Sequence, residues 1–111
     1  MKKLFFTGIL FLIIFLCGCA NQGGKDTWEL ERLEIICVQA CQEALNEGRD
    51  LSSGPCLLNP MTDNSDWVCD VAHKPRQAVD DIPDNQCSAF RNRIANHFIE
   101  VDLNCNFIKS Y

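Results

Sequence analysis

DTWELERLEIICVQACQEALNEG, residues 26–48, is the stretch on which the fold turns. Leu30, Leu33, Ile36, Cys37, Ala40, Cys41 and Ala44 recur at steps of three and four, while Glu, Gln and Arg fill the remaining face. This periodicity predicts an amphipathic helix over about 27–47. Asp26 followed by Glu29 reads as a capping box at its start, and Gly48 suits the left-handed position just past its end. Cys37 and Cys41 fall on the apolar stripe one turn apart. A bridge between them would strain disulfide geometry, so each is expected to reach a different segment of the chain.

Further along, the pattern changes to a period of two. Trp67, Cys69, Val71 and His73 share one side of an expected strand, which Pro75 stops. Ile99, Val101 and Leu103 alternate with Glu100 and Asp102, a half-buried strand over 97–103. A short strand at 86–91 is expected to pair with it across a turn at 92–96, and 107–109 makes a last short strand. Residues 49–66 read as loop, and a helical turn is expected around 76–80. The prediction is a small α+β domain over 26–111: one N-terminal amphipathic helix on a three- to four-stranded antiparallel sheet.

Upstream, Lys2 and Lys3 precede thirteen uncharged residues, Leu4 to Leu16. That run suits a signal peptide and falls short of the roughly 20 residues of a membrane-spanning helix. Leu16-Cys17-Gly18-Cys19 follows, and it resembles the lipobox of prokaryotic lipoproteins. The resemblance implies a signal peptide at 1–18 and a diacylglyceryl group, with acyl chains of the palmitate kind, on Cys19. Residues 19–25 then form a lipidated, flexible tether. The domain is expected outside the cytoplasm, anchored by lipid to the cell or outer membrane. A cleaved soluble form and an uncleaved N-terminal anchor are the alternatives.

Removing the signal leaves one small domain, which apolar burial alone stabilises only marginally. It also leaves six cysteines: Cys37, Cys41, Cys56, Cys69, Cys87 and Cys105. An even number scattered over an exported chain predicts about three disulfides. Strand parity favours Cys69 and Cys105 as partners of Cys37 and Cys41, leaving Cys56 to Cys87. Zinc knuckles and the Cys-x-x-Cys of a thiol oxidoreductase are absent from the spacing. Without Lys2 and Lys3, eight basic side chains face fifteen acidic ones, a net charge of −7. Such a surface repels phosphate backbones, so nucleic acid is not an expected partner.

Candidate chemistry is sparse. His73 and His97 are the two histidines. If their strands pair antiparallel the imidazoles meet at one end of the sheet, where Asp70, Glu100 or Asp102 would complete a metal-dependent or acid–base hydrolase. No nucleophile motif or phosphate loop accompanies them, and Asp80-Asp81-Ile82-Pro83-Asp84-Asn85 lacks calcium-ligand spacing. No catalytic residue, metal or cofactor is assigned. The loop Ala72-His73-Lys74-Pro75-Arg76-Gln77 gathers two cations and a histidine on a proline-stiffened bend. It is the expected contact for a protein or an anionic ligand, with His73, Lys74, Arg76 and His97 as possible binding residues. The favoured reading is a non-catalytic interaction module at the cell envelope; a structural envelope protein without a discrete site is the third.

Overall fold

The computed structural model describes residues 23–111. The signal peptide, the lipobox and Cys19 lie outside the described residues. Helix α1 runs Gly23–Asn46, so the last three residues of the expected tether are helical and Asp26 lies in the first turn rather than at the cap. At its other end Gly48, with φ 76°, closes a Schellman motif: Arg49 N–H donates to Ala44 O and Gly48 N–H to Leu45 O.

Strands β1 (Cys56–Leu58), β2 (Trp67–Val71), β3 (His97–Val101) and β4 (Phe107–Ser110) form one sheet in that order. Outer pairs β1–β2 and β3–β4 are antiparallel, but β2 and β3 are parallel and in register from Trp67↔His97 to Val71↔Val101. The expected all-antiparallel sheet is therefore a mixed one. The cause is the 72–96 connection. It carries two 3-10 turns, Ala78–Asp81 and Pro83–Asn85, and a short helix α2 (Ser88–Arg91), and it is long enough to cross the sheet. Helix α2 stands where a strand at 86–91 was expected, and β1 arises inside the expected loop 49–66, which also sends Leu51 and Met61 into the core.

Helix α1 packs on β1, β2 and β3. Its buried stripe, Leu33, Cys37, Cys41 and Ala44, meets Cys69, Val71, Ile99 and Val101. This stripe is narrower than predicted. Trp28, Ile35 and Leu45 are apolar and exposed, so α1 is not the clean N-terminal amphipathic helix expected. The crossover covers the opposite face, where Val68, Cys87, Ala89 and Ala95 form a second cluster with Phe90 and Phe98. Burial on both faces explains why β2 and β3 lose the alternation of a half-exposed strand.

Three disulfides close the structure: Cys37–Cys69, Cys41–Cys105 and Cys56–Cys87. The first two bolt α1 to β2 and to the β3–β4 turn, and the third ties β1 to the start of α2. They are consistent with an extracytoplasmic location. Among the described residues no helix is long and apolar enough to cross a membrane.

Candidate functional site

Parallel pairing separates the two histidines. His97 sits opposite Trp67 at the start of β2, and His73 lies past its far end. The five-residue strand between them alone spans ~13 Å at about 3.3 Å per step. The two imidazoles therefore share no site, and the acid–base pair expected of them does not form. His97 stacks on Trp67, with ring centroids 4.6 Å apart. Its Nδ1 lies 3.1 Å from Tyr111 O, and its Nε2 3.5 Å from Asp66 Oδ2. Asp102 is taken up elsewhere: its Oδ1 accepts the Asn104 and Asn106 amides of the turn after β3.

The 72–77 loop commits Arg76 and His73 to internal partners. Asp80, 2% exposed, is its organising residue. Its Oδ2 accepts the backbone N–H of Gln77 at 2.8 Å and of His73 at 3.1 Å, and its Oδ1 lies 2.9 Å from His73 Nδ1. Burial pushes the Asp80 carboxyl up, but those hydrogen bonds together outweigh it and hold it below the usual carboxylate range. Gly54, at φ 67°, makes room: a Cβ there would collide with Asp80 Oδ1 and crowd the Val71 carbonyl. Arg76 donates to Asp81 Oδ1 and to Glu100 Oε1, each at 2.8 Å. Of the expected binding set, Lys74 alone is exposed and makes no ion pair among the described residues. It borders a pocket of about 180 Å³ with His73, Gln77, Leu103, Asn104 and the acidic Asp102.

Sequence reasoning missed two features. The first is a carboxylate pair, Asp70 and Glu100, on neighbouring positions of β2 and β3. Burial first, and then the Glu100 charge, push the Asp70 carboxyl up to about 7. Only the parallel register brings the two together, so no spacing announces them.

The second is a groove of about 610 Å³ between α1 and β4. Ile35 and Val38 of α1 and Phe107 of β4 form its apolar lining, and Glu31 and Glu34 stand along it. Ile35 is 58% and Phe107 42% exposed, a large apolar surface left in water. A register shift between Glu100 and Val101 seats Phe107 opposite Val101, on the α1 side, while Lys109 opposes Glu100 on the other. Partial burial, with the neighbouring Glu31 charge, raises the Glu34 carboxyl. A signal did exist: Ile35 and Val38 are apolar residues off the predicted stripe.

Among the described residues no group of three or more His, Cys, Asp or Glu side chains is placed to hold a metal ion. No family model, no curated protein and no solved structure matches this chain.

Proposed function

We propose that this protein is a non-catalytic interaction module, held at the outer face of a membrane by a lipid on Cys19. The groove between α1 and β4 takes an apolar, positively charged segment of a partner protein. The observation that carries this reading is the groove itself: exposed Ile35 and Phe107 and half-buried Val38 beside the acidic Glu31 and Glu34. Apolar side chains set affinity there, and the acids select against an acidic partner. The bulge in β4 interrupts its free edge, which favours side-chain docking over strand addition. Three disulfides and the lipobox resemblance at Leu16 to Cys19 support the location.

Titration with a synthetic peptide alternating leucine and lysine tests this, read by amide and methyl NMR shifts. The expected shifts centre on Ile35, Val38 and Phe107, weaken with salt, and vanish in Phe107→Ser at unchanged thermal stability. Equal shifts with a leucine–glutamate peptide, or none with either, would overturn it, as would a groove closed by a second copy of the chain in sedimentation.

A second reading keeps the 72–77 loop as an anion contact, on the strength of the exposed Lys74 beside its pocket. It predicts shifts at Lys74 and His73 with inorganic phosphate; their absence would remove it.

A further inference from the structure

Asp70 and Glu100 occupy the sheet face turned away from α1, since their neighbours Cys69, Val71, Ile99 and Val101 pack against the helix. Glu100 is buried and held by two cations, Arg76 Nη1 at 2.8 Å and Lys109 Nζ at 3.9 Å. Asp70 makes no ion pair among the described residues: the Val71 N–H and the Arg76 charge favour its ionised form only in part, and its Oδ1 is shut from solvent and accepts no hydrogen bond. Arg76 reaches this face from the 73–86 loop. No residue of that loop belongs to either apolar cluster. Arg76 to Glu100 is the polar contact that ties it to the sheet, while the His73 and Gln77 N–H groups gathered on Asp80 fix its own shape. Its ends are fixed by Ala72 N–H on Val101 O and by the Cys56–Cys87 disulfide.

We propose that residues 73–86 form a proton-operated strap: a proton on the Asp70–Glu100 pair keeps it closed over the sheet, and loss of that proton to water loosens it. With Asp70 neutral, Glu100 is paired with Arg76 and Lys109, Asp81 shares Arg76, and Asp80 is satisfied by the His73 and Gln77 N–H groups. Ionising Asp70 adds a second negative charge beside Glu100 in a poorly solvated site, which Arg76 and the Val71 N–H offset only in part, and lifting the strap rehydrates it. The other elements supply no relief. β1 carries no titratable group on its three residues, and Arg91, the one charge of α2, donates to Pro83 O. The direction of the Asp70 shift, up to about 7, agrees with this arrangement.

Hydrogen–deuterium exchange on the full chain in detergent, from pH 4.5 to 8.5 and corrected for intrinsic exchange chemistry, tests the strap. Opening of 73–86 is expected to rise up to about tenfold per pH unit below pH 7 and to level off above it, while β2 and β3 stay protected. In Asp70→Asn the rise disappears. Carbon-13 NMR of the wild-type Asp70 carboxyl gives a check that needs no variant, with a midpoint near neutrality expected. A titration in the usual carboxylate range would overturn the proposal. So would a rise that survives in Asp70→Asn, no rise at all, or one shared equally by β2 and β3.

Discussion

Asp70 and Asp80, ten residues apart in the chain, are driven in opposite directions by their surroundings. Asp80 sits among donors, so its folded-state pKa is lowered and its contribution to stability is lost as pH falls through the acid range. Asp70 has burial and a like charge, so its pKa is raised to about 7 and the folded state binds its proton more tightly than the unfolded chain does. Its contribution is whole below about pH 4, declines as pH rises to about 7, and is flat above. A shift of this size corresponds to about 4 kcal/mol. Asp70→Asn is expected to raise the melting temperature at pH 7–8 and to flatten that decline, as measured by thermal unfolding against pH. Gly54→Ala acts on the same cluster from the other side. The left-handed φ and the collision with Asp80 are expected to cost ~2–3 kcal/mol in denaturant unfolding, and to free the 73–86 loop first.

At the scale of elements, three cross-links supplement a small core. Helix α1 presents only four buried residues to the sheet, and two of them are cysteines. The Cys41–Cys105 bridge spans 64 residues and Cys37–Cys69 spans 32, so loop-closure entropy alone makes each worth about 4 kcal/mol. Replacing Cys41 and Cys105 together by alanine is expected to cost the larger share and to release α1 from the β3–β4 turn. Loss of helical circular dichroism at lower denaturant concentration would report it. Helix α2 shows why local pattern misleads. Gln86 to Arg91 reads as a strand, yet Cys87 is pinned to β1 and Ala89 and Phe90 turn onto the back of the sheet, where a single helical turn fits.

The whole molecule places its open groove and its polar strap on opposite faces of the sheet, so occupancy of one does not block the other. Its proposed anchorage is separately testable. Cys19→Ala is expected to move the protein from the membrane to the soluble fraction and to abolish labelling by an alkyne-tagged fatty acid; retention in membranes would point to an uncleaved anchor instead.

Much of this was legible in residue order. The helix at 26–48 and its glycine stop, the strands at 67 and 97 and the pairing logic of six cysteines all follow from local periodicity and side-chain parity. Those are short-range properties, written in spacings of two to four residues. Three things were not legible. Parallel pairing of β2 and β3 depends on how a 25-residue crossover packs behind the sheet, and no local preference encodes that. The separation of His73 from His97 follows from that pairing, and so does the juxtaposition of Asp70 with Glu100. The groove between α1 and β4 exists because the helix covers three strands and leaves the fourth beside it, a matter of packing geometry that only the assembled tertiary structure decides.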